Sequence, residues 1–116
     1  MKELSEKALL KKVERLEVFE ERMRIRLENI SIIIDGYEDY NWLKIFCEVH
    51  PLTGTSIDES IRIECVIYEK EGAILWSENI IILDSNFFGF ELIKFQCQED
   101  NIAENIGKIR IYPKIY

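Results

Sequence analysis

Ile61-Arg62-Ile63-Glu64-Cys65-Val66-Ile67-Tyr68 puts apolar side chains at 61, 63, 65 and 67, with charges at 62 and 64. Side chains of an extended chain point alternately to opposite faces, so this pattern predicts a strand. Ile61, Ile63, Cys65 and Ile67 would face a core, and Arg62 and Glu64 would face outward. Glu69-Lys70-Glu71-Gly72 follows as a turn and leads to Ala73–Ser77, with Ile80–Leu83 continuing or restarting that strand. The same alternation appears in Trp42–Val49 (Leu43, Ile45, Cys47 and Val49 on one face) and in Glu91–Gln98 (Ile93, Phe95 and Cys97 against Lys94, Gln96 and Gln98). Ile30–Ile34, closed by Asp35-Gly36, is a further strand. Lys108–Tyr112, with Ile109 and Ile111 inward, is expected to stop at Pro113. Twenty Ile against ten Leu add a β-branched bias. The chain is therefore expected to be mostly β, with six or seven short strands in an antiparallel β-sandwich.

Upstream of the strands the period changes. Residues 3–22 are rich in Glu, Lys, Leu, Arg and Ala, which predicts a helix, with Ser5 as a partial cap and Ala8 where a capping box would hold Glu. Leu9, Val13, Leu16, Glu20, Met23, Leu27 and Ile30 recur at alternating spacings of four and three, a heptad seam with Glu20 as its one charged member. Arg22–Leu27 alternates charged and apolar residues, so the helix-to-strand boundary is expected between 22 and 29. Two regions follow: residues 1–24 as an amphipathic helix and residues 25–116 as the sandwich. Leu9, Val13, Leu16 and Met23 form the helix's apolar stripe. It would lie on the chain's own sheet, pair with a second copy as a coiled coil in a homo-oligomer, or dock on another protein.

A chain of 116 residues is one domain, or one small domain with an appended helix. Its net charge is −7, unevenly spread: residues 1–30 carry +1 and residues 31–116 carry −8. Phosphate backbones would repel the acidic part, so nucleic acid is not an expected partner. No stretch is long and apolar enough to span a membrane, and the charged N-terminus lacks a secretory apolar region. A cytoplasmic location is expected, with the three Cys as free thiols.

Cys47, Cys65 and Cys97 all fall on inward faces, where a thiol behaves as a small apolar group. The strand count makes the sandwich similar to the immunoglobulin fold in the broad sense. The likeness stops there: the Trp expected soon after the first Cys is Trp76, and Phe95 stands where a Tyr would precede the second. No C-x-x-C spacing points to zinc.

His50 is the only histidine, which excludes chemistry needing two imidazoles, and it is expected as a surface residue. Carboxylates gather in loops at Asp35, Glu38 and Asp39, at Asp58 and Glu59, and at Glu99, Asp100 and Glu104, without EF-hand spacing. There is no nucleophile elbow, phosphate-cradling Gly loop or H-E-x-x-H. No catalytic, cofactor or metal residue is assigned, and an enzyme is not expected. Two aromatic groups remain as candidate interfaces. Phe87, Phe88 and Phe90 surround Gly89, either plugging the core or anchoring a partner; Tyr37, Tyr40 and Trp42 sit beside an acidic loop. The expected function is a non-catalytic protein–protein interaction module or small adaptor subunit. The alternatives are an acidic inhibitor or immunity-type protein that neutralises a basic partner, and a calcium- or lipid-responsive C2-like module.

Overall fold

The isoleucine-rich alternation forms seven strands among the described residues, which in this computed structural model are 6–37, 40–99 and 102–116. Ser5, Glu38, Asp39 and Asp100 lie outside them. The elements are α1 (Glu6–Leu10), β1 (Val13–Arg15), α2 (Glu17–Arg22), β2 (Ile25–Tyr37), β3 (Tyr40–Pro51), β4 (Ile61–Glu69), β5 (Ile74–Ile82), β6 (Glu91–Cys97) and β7 (Ile106–Ile115). They form a four-stranded sheet in the order β1-β7-β4-β5 and a three-stranded sheet in the order β2-β3-β6. Every pairing is antiparallel except that of β1 with β7.

One buried cluster takes Ile63, Cys65, Ile67, Ile109 and Ile111 from the larger sheet and Leu27, Ile45, Cys47 and Phe95 from the smaller. Apart from Leu27, expected on the heptad seam, these are the inward positions expected from alternation, and the helix-to-strand boundary falls between Arg22 and Ile25. The strands differ in extent: β2, β3 and β7 are longer at both ends than Ile30–Ile34, Trp42–Val49 and Lys108–Tyr112, and β5 runs unbroken from Ile74 to Ile82, so Ile80 continues the strand rather than restarting it.

The helix expected over residues 3–22 is not continuous. Val13-Glu14-Arg15 leaves the helical path and pairs with Ile109-Arg110-Ile111 of β7. The Ile109 N–H donates to the Lys12 carbonyl at 3.0 Å, and Lys12 Nζ donates to the Ile106 carbonyl at 2.8 Å. An open strand edge thus outcompetes a weak local preference for helix. The pieces left over, α1 of five residues and α2 of six, are too short to carry a heptad seam, and the expected coiled coil is not supported. Its residues also go separate ways: Leu9 is fully buried in the core, while Val13, Leu16 and Met23 are half-buried.

Glu20, the charged member of that seam, is 2% exposed. It is held by Arg15 and accepts the Leu27 N–H at 3.2 Å, while Glu6 of α1 accepts the Ile34 N–H at 2.8 Å. Both amides belong to β2 and would otherwise stand on an open edge. Two short helices and two carboxylates therefore cover an edge that would invite strand pairing.

Pro113 does not end β7, which runs on to Ile115. The Ile109 N–H points toward β1, and by alternation the Pro113 nitrogen faces the same side. The β1 pairing ends at Ile111, so no neighbour requires a proton from residue 113.

Candidate protein-binding surface

Alternation along β3 puts Trp42, Lys44, Phe46, Glu48 and His50 on the face of the three-stranded sheet away from the core. Ile33 stands beside Lys44 on β2, and Leu92 beside Glu48 on β6; both side chains are exposed. At the His50 end, two loops meet this face. The Leu52 N–H donates to the Arg24 carbonyl at 3.0 Å, and the Gly89 N–H to the Thr55 carbonyl at 2.8 Å. Ser60 and Asp84 exchange hydrogen bonds, with Ser60 Oγ donating to Asp84 Oδ1 at 2.8 Å and the Asp84 N–H returning to Ser60 Oγ at 3.0 Å.

The three phenylalanines divide at this end. Phe87 is buried in the core cluster, whereas Phe88 is 79% exposed and Phe90 is 52% exposed. Gly89, at φ +80°, takes a backbone conformation costly for other residues, and this lets the chain turn between the two outward rings.

His50 is not a free surface side chain. Its ring stacks on Phe90 at 5.0 Å between centroids and 7° between planes. Its Nε2 lies 2.9 Å from Glu48 Oε1 and 3.7 Å from Glu28 Oε1. Glu28 and Glu48 face each other across β2 and β3, as do Arg26 and His50. Two opposed carboxylates would repel. Here Arg26 binds Glu28, and Asn29 Nδ2 donates to Glu48 at 2.9 Å. Asn29 reaches it from a β-bulge, at φ +53°. The hydrogen bond from Arg26 holds Glu28 below the usual carboxylate range, and hydrogen bonds from His50 and Asn29 do the same for Glu48. The network fixes the imidazole and, through the stack, the Phe90 ring. An exposed aromatic pair on a rigid support, ringed by paired charges, suits protein recognition.

Tyr37, Tyr40 and Trp42 cluster at the opposite end of β3. Trp42 meets Tyr40 edge-on at 5.4 Å and Tyr37 at 6.4 Å. His50 lies eight positions along the strand from Trp42, about 26 Å at ~3.3 Å per residue, so the two aromatic groups share a face but not a site. Asp35 beside them has both oxygens engaged, one by Lys44 Nζ at 3.0 Å and one by the Gly36 N–H at 2.8 Å. The Lys44 hydrogen bond, helped by the Gly36 amide, lowers its pKa. Asp58 pairs with Arg24 at 3.2 Å. Among the described residues no His, Cys, Asp and Glu group is placed to hold a metal ion.

All three Cys are free and buried. Desolvation pushes the Cys47 thiol up to about 12, with Glu20 adding to it, and raises Cys65 and Cys97 as well. These thiols are packing groups rather than nucleophiles.

Leu92 and Ile33 were not singled out from the sequence, and His50 was expected only as a surface residue; alternation along β2, β3 and β6 was the available signal for the face they share. The chain matches no protein-family model, no curated protein and no solved structure.

Proposed function

We propose that the chain is a non-catalytic protein–protein interaction module that binds its partner through the Phe88–Phe90 end of the three-stranded sheet. The observation that carries this is the exposure of Phe88, Phe90 and Leu92 beside the fixed His50. Large rings held outward at an energetic cost in water are the usual anchors of interfaces. We read the two sheets as a β-sandwich, immunoglobulin-like in the broad sense, a reading supported by the single buried cluster drawn from both. Three buried free thiols favour a reducing, cytoplasmic setting. The −7 charge favours a protein partner over nucleic acid or an anionic membrane.

The test compares proteins captured from the native host by the wild-type chain and by F88S/F90S. A partner retained by wild type and lost by the variant is expected. A partner held equally by both overturns the assignment of the surface. Capture that survives the variant but vanishes at high salt would favour an acidic inhibitor of a basic partner.

A further inference from the structure

α2 and the ends of β4 and β7 border an open cleft of about 340 Å³. Phe19, Met23, Pro113 and Ile115 provide its apolar lining. The polar lining consists of three cations, Arg22, Arg62 and Lys114, with no acidic side chain among the described residues. That is unexpected in a chain of net charge −7.

Arg62 is paired with Glu64, whereas Arg22 and Lys114 have no ion pair among the described residues. Arg62 and Lys114 are directly opposed across β4 and β7, an arrangement in which like charges repel. Arg62 Nε lies 3.0 Å from Glu64 Oε2, yet this buried nitrogen has no aligned hydrogen-bond acceptor among the described residues. One face of the Phe19 ring is supported by Tyr112 in an edge-on contact at 5.6 Å, which steadies the apolar wall.

We propose that this cleft binds a small aliphatic carboxylate, with its chain on Phe19, Met23, Pro113 and Ile115 and its head group between Arg62 and Lys114. The volume lies at the small end of the range for ligand pockets, about 300–1,000 Å³, which suits a single short chain. An anionic head would relieve the repulsion between the opposed cations and accept charge-assisted hydrogen bonds from them. Arg22 adds a third positive charge at the rim. The site is separate from the Phe88–Phe90 surface, so each stands or falls alone.

The experiment titrates the full-length isotope-labelled chain with decanoate and follows backbone amide shifts, with decanol and decyltrimethylammonium as controls. Saturable shifts are expected at Phe19, Met23 and Ile115. Decanol, lacking the charge, should bind about tenfold more weakly, as should decanoate to R62Q, since a hydrogen bond to a charged group carries about that discrimination. K114Q, at an exposed position, gives the same reading if R62Q does not fold. Equal binding of decanol and decanoate overturns the proposal. So does unchanged affinity in a folded variant, or shifts centred on Phe88 and Phe90.

Discussion

Arg15 grips Glu20 with two hydrogen bonds, Nε to Oε2 at 3.0 Å and Nη2 to Oε1 at 2.8 Å. The Glu20 side chain is almost wholly buried and that of Arg15 about one-third exposed, so the pair sits at the boundary of the core. Removing the cation strands a buried carboxylate. R15A is expected to lower stability by about 2–3 kcal/mol, the low end for a buried pair because Arg15 reaches solvent. E20Q should cost less, about 1–2 kcal/mol, since Gln keeps an acceptor for the Leu27 N–H. Urea unfolding of both variants and of the double variant checks this. A double variant that costs the plain sum of the singles would show that the pair is not coupled.

Removing residues 1–22 should abolish cooperative folding rather than release a stable sandwich. The cut deletes Leu9 from the core, β1 from the larger sheet and Glu20 from the edge of β2. Loss of a buried leucine side chain alone costs about 2–5 kcal/mol, against a typical total of about 5–15. A sharp thermal transition in the truncated chain, near that of the full one, would show instead that the segment is an accessory.

Phe87 and Phe88 should behave oppositely although they are adjacent. F87A opens a hole in the core and is expected to cost about 3 kcal/mol. F88A, at a side chain 79% exposed, should stay within about 0.5 kcal/mol of wild type. Chemical denaturation separates the two; equal losses would mean that both rings are structural.

The thiols should react slowly in the native protein and quickly once it is denatured, all three in each case. Thiol titration with and without denaturant reads this directly, and fewer than three in denatured, unreduced protein would contradict free cysteines. Because burial raises the native Cys47 pKa from 9.0 to about 12, its contribution is complete below pH 9 and is lost as the pH rises toward 12. Stability should therefore decline above about pH 9, where the unfolded thiol begins to ionise.

Acid should also destabilise the fold, with the opposite sign of shift. Glu28, held by Arg26, and Glu48, held by His50 and Asn29, sit below their ordinary value of 4.5; Asp35, held by Lys44, sits below 3.8. Their contribution is present above those values and disappears as the pH falls through the lowered native ones. The urea midpoint should be flat near neutrality and fall in that acid range, less steeply in E48Q. An unchanged profile in E48Q would remove the network from the account.

Strands were readable wherever a side chain's neighbours along the chain reveal its surroundings, as in Ile61–Cys65, where burial follows the alternation; it breaks at Val66, which is buried although it alternates outward. The N-terminal segment misled because Leu9, Val13 and Leu16 fit a helical period locally. What decides their fate is β7, almost a hundred residues away, whose open edge takes Val13–Arg15. Pro113 misled for the same reason: a proline is tolerated in a strand whose neighbour has ended, and the sequence does not reveal where that neighbour ends. The Phe88–Phe90 segment was recognised as a candidate, but its division from Phe87 depends on Gly89 meeting Thr55. The His50 site depends on Glu28 and Phe90, and the cationic cleft on residues 22, 62 and 114; no local pattern joins any of them.

The parallel pairing of β1 with β7 also constrains the time course of folding. Glu14 and Arg110, linked across it at 2.6 Å, are 96 residues apart in the chain. During synthesis β1 emerges before β7 and has no strand to pair with until β7 has followed. β4 likewise waits for β7 on one of its two sides. Contacts so distant in sequence slow folding, because the loop must close before the contact is gained. Until then the edges of β1 and β4 stand open, and the nascent chain is at its most vulnerable to joining another copy of itself. β1 is completed only by β7.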